Sequence, residues 1–206
     1  MSDKLTCNKP VLLVGWSQEL YSLAVDLGYK VAAVVDKNVE FVNVKVPLVQ
    51  EDKMAIKNYP EGHVIIGIDD IQVRQKLYHL YKDSGFQILS LLGGTSDCTS
   101  TYGPGFVSQT GSILSSNCII GCSVKLNTGS IVTHDVRIGS FSNIAPGAVV
   151  LGRVSIGKYV YVGANSTILP DLDIGEGAFI GAGAVVTKNV KAGLTVVGVP
   201  AKPIIF

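Results

Sequence analysis

The sequence predicts an α/β domain followed by a β-solenoid, and three observations carry that reading. Up to about residue 92, short β-branched apolar runs alternate with amphipathic helical stretches. From Ile120 onward every sixth residue is Ile, Leu or Val, through twelve consecutive positions that end at Val186. Between the two, Gly93–Gly105 turns to Gly, Ser, Thr and Pro.

In the first part, Val11–Val14, Val31–Val35, Val64–Ile66 and Phe86–Leu92 read as strands covered on both faces. Gln18–Leu27 has Leu20, Leu23, Ala24 and Leu27 at one-faced helical spacing. Asp69–Lys82 repeats this with Val73, Leu77, Leu80 and Tyr81 on one stripe, and Asp69 or Asp70 is available as the cap. Strand–helix alternation gives a small parallel sheet, so residues 1–93 are expected to form a Rossmann-like domain. Residues 94–105 read as a connector or a poorly formed first coil of the solenoid. Residues 106–195 read as the solenoid proper and 196–206 as a tail.

Neither period 2 nor period 3.6 explains the second half. Three six-residue sides make a triangular coil of 18 residues, and coils stack at strand spacing of roughly 4.8 Å. Each aliphatic points inward onto its equivalents in neighbouring coils. The residue four further on is small or Val everywhere except Leu172, and fits inside near a corner. Glycine follows the aliphatic in six of the twelve hexapeptides and is expected to relieve the backbone there. This is the pattern of a left-handed parallel β-helix.

Composition narrows the function. With 17 basic and 16 acidic residues the net charge is +1, which gives no electrostatic footprint for nucleic acid. No apolar run reaches the roughly 18 residues of a membrane span. The opening Met1–Pro10 has no apolar signal core, so a cytoplasmic location is expected. Cys7, Cys98, Cys118 and Cys122 then read as reduced thiols. No metal is expected: Cys118-x₃-Cys122 lacks further zinc ligands, and Cys118 falls at an inward position. A γ-class carbonic anhydrase would need three metal-binding histidines, and the repeat region holds only one. A sugar nucleotidyltransferase would need a much longer first domain.

His63 and His79 read as structural or surface residues of the first domain. His134 differs. It lies two residues after an inward aliphatic, so its ring projects from the prism, and Asp135 beside it can fix the tautomer and support a base. One coil further along is Gly152, which leaves room for the imidazole and exposes a backbone N–H as an oxyanion donor. Ala164 and Ala182, also 18 apart, stack into a smooth strip along which a long thin ligand could lie.

The hexapeptide array, Asn127-Thr128-Gly129 before His134-Asp135, Ala145-Pro146-Gly147-Ala148, and the closing Val197-Gly198-Val199-Pro200-Ala201-Lys202-Pro203 resemble the left-handed β-helix acyltransferases. With the α/β domain in front, the chain resembles sugar acetyltransferases of the sialic-acid O-acetyltransferase and PglD-like group. The resemblance implies a homotrimer that binds acetyl-CoA between adjacent β-helices. It implies acetyl transfer to the amino group of a nucleotide-linked sugar, the alternatives being O-acetylation or a non-catalytic nucleotide-sugar-binding homologue. His134 matches the base, Asp135 an acidic neighbour that is usually Glu, and Gly152 the oxyanion glycine. Ala164 and Ala182 match coenzyme contacts. So does Asn143, where some members carry a second histidine. Asn127 is carried over as a substrate contact. In the first domain the family often has Gly-x-x-Gly-His-Gly after the first strand. Here the turn reads Gly15-Trp16-Ser17-Gln18-Glu19-Leu20. Asp36 and Gly67 end strands at the carboxyl edge, where such sheets bind ligands, so Ser17, Asp36, Lys37 and Gly67 are expected to contact substrate. Trp16 could stack on a base or sugar, or pack against the second half.

Overall fold

A computed structural model describes residues 9–204. Cys7 and most of the opening segment lie outside the described residues. The chain divides into two compact units, and the division falls between Leu91 and Leu92.

The first unit is a five-stranded parallel sheet. In chain order it contains β1 (Val11–Val14), α1 (Gln18–Asp26), β2 (Val31–Val35), β3 (Leu48–Val49), α2 (Asp52–Asn58), β4 (His63–Ile66), α3 (Ile71–Asp83) and β5 (Gln87–Ile88). The strand order is β3-β2-β1-β4-β5, with every pairing parallel. This is a Rossmann-like α/β fold. The carboxyl ends of the three central strands β2, β1 and β4 lie side by side, which brings the loops after them together. β1 is buried along its whole length, as its unbroken apolar run requires. Ser17 caps α1 by accepting a 3.3 Å hydrogen bond from the Leu20 N–H. Asp70 caps α3, accepting from the Val73 N–H at 2.8 Å.

Two expectations are corrected here. The run Phe86–Leu92 is not one strand. β5 closes the α/β sheet, and Leu91–Leu92 opens a sheet of the solenoid, so the apolar run spans both units. On α3 the buried stripe is Arg74, Tyr78 and Tyr81, while Val73 and Leu80 are exposed. An arginine satisfies a buried position because its Nη1 donates to the carbonyls of Ile68 (2.9 Å) and Asp69 (3.0 Å) in the β4–α3 loop. Burial holds its pKa down to about 10, against the opposing pull of Asp69 and Asp70, so it stays charged at neutral pH. Arg74→Met strands buried carbonyls that lose their donor, and is expected to destabilise the first domain by about 2–4 kcal/mol. Thermal unfolding of the variant against the parent chain measures it; an unchanged transition would show that the arginine does not hold this loop.

The second unit is a left-handed parallel β-helix of two-residue strands on three faces. Ile113, Ile131, Val149, Thr167 and Val185 pair in turn on the first face, each 18 residues from the next. The second face runs through Ile119, Arg137, Ser155 and Asp173, and the third through Lys125, Asn143, Tyr161 and Phe179. Inside, Leu126, Val132, Ile144, Val150, Val162, Ile168 and Ile180 are fully buried, together with small residues such as Ala148 and Ala184. Each fully buried aliphatic contributes roughly 1.5–3 kcal/mol.

Residues 94–105 form a first coil. Thr95–Ser96 and Thr101–Tyr102 pair in parallel with Ile113–Leu114 and Ile119–Ile120 at the same 18-residue offset. The aliphatic count stops short of this coil because Ser96, Tyr102 and Ser108 hold the in-phase positions. At the other end the register shortens. Phe179 pairs with Thr195, 16 residues on, and Val196–Val197 then takes Lys202–Pro203 as an antiparallel neighbour. The strand Thr195–Val197 therefore continues across the expected boundary at residue 195.

The turn glycines need a different explanation from the one expected. Left-handed backbone recurs at every sixth residue from Gly105 to Gly183, three positions after the inward aliphatic. The glycines directly after the aliphatic are elsewhere in φ/ψ. At Gly139, Gly157 and Gly163 a Cβ would come within 2.5–2.6 Å of the next coil's backbone. Close stacking of coils at the corner, not a positive φ, excludes a side chain there.

Candidate active site

His134 occupies the corner between the first-face strand Ile131–Val132 and the second-face strand Arg137–Ile138. Coils on either side pin its backbone: Asp135 N–H donates to Ser116 O at 2.9 Å, and Arg153 N–H donates to His134 O at 3.1 Å. Asp135 sits at the left-handed corner position (φ 59), a conformation that Asp tolerates better than most residues. That turn swings its carboxylate back to the ring, and Oδ2 lies 2.7 Å from His134 Nδ1. The hydrogen bond to His134 holds the Asp135 carboxyl below the usual carboxylate range, helped by the Asn117 side chain and the Arg153 charge. Asp135 is therefore an anion at neutral pH, and a proton on Nδ1 satisfies it. Nε2 is then left with the lone pair.

Gly152, one coil along, lies against the same ring. A Cβ there would stand 2.6 Å from His134 Cε1 and 2.7 Å from Nε2. His134, Asp135 and Gly152 thus converge at one corner, where roughly half of each side chain of the His–Asp pair is exposed. An imidazole so held can take a proton at Nε2 from a group arriving from outside.

Ala164 and Ala182 stack in consecutive coils, as Gly183 N–H donating to Ala164 O at 2.8 Å shows. They lie at the corner between the third and first faces, a different edge of the prism from His134. One chain does not bring the two groups together. Asn143 and Asn127 form a buried pair beside the third face. Asn127 Nδ2 donates to Asn143 Oδ1 at 2.6 Å and to Ile144 O at 2.8 Å.

In the first domain the four expected contacts gather at the carboxyl edge of the sheet. Asp36 is already engaged, since Oδ2 accepts from Trp16 N–H and Oδ1 from Asn38 N–H, both at 2.8 Å. It ties the loop after β2 to the turn after β1, a tie that a separation of 20 residues conceals in the sequence. Ser17 is the helix cap, Lys37 is exposed, and Gly67 is buried with its N–H on Val14 O. Gly67 leaves no space for a side chain, because a Cβ would lie 2.8 Å from Gly15 O. Trp16 pairs with Tyr21 at a 6.0 Å centroid distance.

Cys118 is buried and its thiol donates to Thr133 O at 3.0 Å. Burial pushes that thiol above its ordinary range, as expected of a packing residue. Among the described residues no group of three or more His, Cys, Asp or Glu could hold a metal. Nor, among them, is any helix long and apolar enough to cross a membrane. Sequence reading missed Arg153 and Asp171, which share the corner column with Asp135; the 18-residue spacing was the signal that could have found them.

Comparison with known proteins agrees with this architecture. The bacterial transferase hexapeptide family (six repeats) matches residues 153–188. A mutant of perosamine N-acetyltransferase from Caulobacter crescentus, solved in complex with CoA and GDP-perosamine, is 26% identical, with 97% of this chain and 98% of that one covered and a TM-score of 0.90. WeeI from Acinetobacter baumannii AYE is 30% identical over 96% of this chain and 100% of its own, with a TM-score of 0.85. The acetyltransferase domain of PglB from Neisseria gonorrhoeae FA1090 is 25% identical, over 96% and 100%, with a TM-score of 0.87. No curated protein sequence matches the chain. The chain belongs to the left-handed β-helix, hexapeptide-repeat sugar acetyltransferases of the sialic-acid O-acetyltransferase and PglD-like group.

Proposed function

We propose that this protein transfers the acetyl group of acetyl-CoA to the amino group of a nucleotide-linked amino sugar, with His134 as general base. The observation that carries the reading is the His134–Asp135–Gly152 corner, in a chain similar across its length to an N-acetyltransferase solved with CoA and GDP-perosamine. Nε2 of His134 removes a proton from the acceptor nitrogen as that nitrogen attacks the thioester carbon. Asp135 stabilises the imidazolium that results. The Gly152 N–H is directed at the thioester oxygen, where negative charge builds. The carbon–sulfur bond then breaks, and the proton held by His134 passes to the departing sulfur, giving the free thiol.

The strip of Ala164 and Ala182 suits the long, thin pantetheine arm, because small side chains leave that edge smooth. It lies on a different edge from His134, so a groove using both is completed by a neighbouring copy. A homotrimer meets that need, and exposed Ile113 and Ile119 on the outer surfaces of the first and second faces suit such contacts. Asn143 contacts the coenzyme and Asn127 the substrate in this reading. Ser17, Asp36, Lys37 and Gly67 shape the nucleotide-sugar site, Asp36 by holding the Trp16 turn. Free thiols at Cys98, Cys118 and Cys122 fit a cytoplasmic location.

The test is thiol release from acetyl-CoA with a panel of nucleotide-linked amino sugars that includes GDP-perosamine, followed by mass spectrometry of the product. An amide-linked acetyl group is expected, on a particle of about three times 21.7 kDa by light scattering. Release with no amino sugar in the panel, or acetylation of a hydroxyl alone, overturns the proposal.

A further inference from the structure

Asn127 and Asn143 are only 8% and 4% exposed, and their amides are held in one orientation. Asn127 is anchored twice to a single carbonyl, because its backbone N–H (2.9 Å) and its side-chain Nδ2 (2.8 Å) both donate to Ile144 O. A carbonyl oxygen only accepts, so the nitrogen of the Asn127 amide must lie on that side. The same Nδ2 stands 2.6 Å from the Asn143 side chain, which must therefore turn its oxygen inward. A flip of Asn127 would set its oxygen against Ile144 O. A flip of Asn143 would set two NH₂ groups face to face. A backbone carbonyl thus decides the orientation of both side chains.

What remains open has a definite character. Asn143 offers Nδ2, which can only donate, and Asn127 offers Oδ1, which can only accept; neither atom has a partner among the described residues. Buried polar groups in native proteins are nearly always hydrogen-bonded, so two open ones side by side point to a ligand. Among the described residues, Ser130 Oγ is the only side-chain N or O atom both sealed from the outside and unpartnered, so the two open atoms keep a path to the surface. Their place agrees with this. Asn127 stands at the corner between the third and first faces, and Gly163 and Gly181, two and three coils on, directly precede Ala164 and Ala182. The pantetheine arm assigned to that strip carries amide and thioester carbonyls, which accept. We propose that Asn127 is a positioning residue: it locks the Asn143 amide with its NH₂ group outward, so that Asn143 serves the coenzyme only as a donor, to a carbonyl oxygen of the pantetheine arm. The inference rests on the reading of Asn143 as a coenzyme contact. Oδ1 of Asn127 is left for a donor on the substrate.

A locked donor and a merely shape-filling side chain rank the same variants differently. Asn143→Asp keeps the shape and still accepts from Asn127 Nδ2, but it turns an oxygen outward in place of the donor. Asn143→Ala removes the contact and leaves Asn127 bonded to Ile144 O. If the outward donor matters, Asp sets an acceptor against an acceptor and is worse than Ala. If only shape matters, Asp stays nearer the parent. Asn127→Ser frees the Asn143 amide to turn, so its effect on the coenzyme passes through Asn143 and vanishes once that side chain is gone.

The experiment is calorimetric titration of the intact protein with CoA at neutral pH and without any sugar nucleotide, so that Oδ1 of Asn127 plays no part. Melting temperature and mass verify that each variant folds and assembles as the parent does. Asn143→Ala is expected to raise the Kd about 3–10-fold, the size of one lost hydrogen bond, and Asn143→Asp by more than about 10-fold. Asn127→Ser is expected to raise it about 2–5-fold in the parent and to leave it unchanged in the Asn143→Ala background. A folded Asn143→Asp that binds CoA as well as Asn143→Ala or better overturns the inference. So does an Asn127→Ser effect that is absent from the parent or equal in both backgrounds. Should the parent chain itself not bind CoA, the acetyl-CoA reading is what fails, and this inference falls with it.

Discussion

His134→Gln lowers kcat by about 10²–10⁴-fold and leaves the melting temperature and assembly of the protein unchanged. The magnitude is that of one general base in a step whose other contributions, binding and orientation, survive. Glutamine fills much of the same space and still donates and accepts hydrogen bonds, but it cannot take the proton of the attacking nitrogen. Stability is unaffected because the ring is about half exposed and its side-chain partner, Asp135, is equally open to water. Steady-state kinetics at saturating acetyl-CoA, run beside calorimetry, measures both halves of the expectation. Activity in the variant within a few fold of the parent would leave His134 without a role in proton transfer.

Gly152→Ala lowers kcat by about 10²-fold with little change in stability, which separates ring placement from folding. The new methyl would stand 2.6 Å from His134 Cε1 and 2.7 Å from Nε2, closer than carbon and nitrogen atoms can approach. Something must move, and the group in the way is the far end of a partly exposed side chain. The ring yields at low cost, so the fold persists. A displacement of the order of 1 Å at the reacting nitrogen is enough to cost about 10²-fold. Alanine keeps the backbone N–H at position 152, so a large loss in kcat reports on the imidazole and not on a missing oxyanion donor. Normal kcat in a normally folded Gly152→Ala would show that the ring need not lie against Gly152, and the proposed corner geometry would fall.

The route from sequence to structure was uneven for physical reasons. The twelve aliphatics from Ile120 to Val186 are legible because every coil repeats one demand, a branched side chain in the same place on the axis. The first coil was less legible because Ser96 and Tyr102, both exposed at the end of the stack, and the buried Ser108 stand where the aliphatics should. On α3 an apolar stripe pointed to Val73 and Leu80. The buried side instead contains Arg74, whose guanidinium finds carbonyls in a loop that the helical pattern does not describe.

The site divides along the same line. Periodicity alone set His134, Asp135 and Gly152 on neighbouring coils, since a fixed 18-residue turn converts sequence distance into position along an edge. What required three dimensions was everything that depends on angle and reach. The left-handed backbone at Asp135 turns its carboxylate to Nδ1, Asp36 engages both oxygens with backbone N–H groups, and Arg153 is clasped by Asp171. A repeat records where along the axis a residue stands, whereas a hydrogen bond is decided by direction over a few ångströms, and direction is set only when neighbouring coils have stacked.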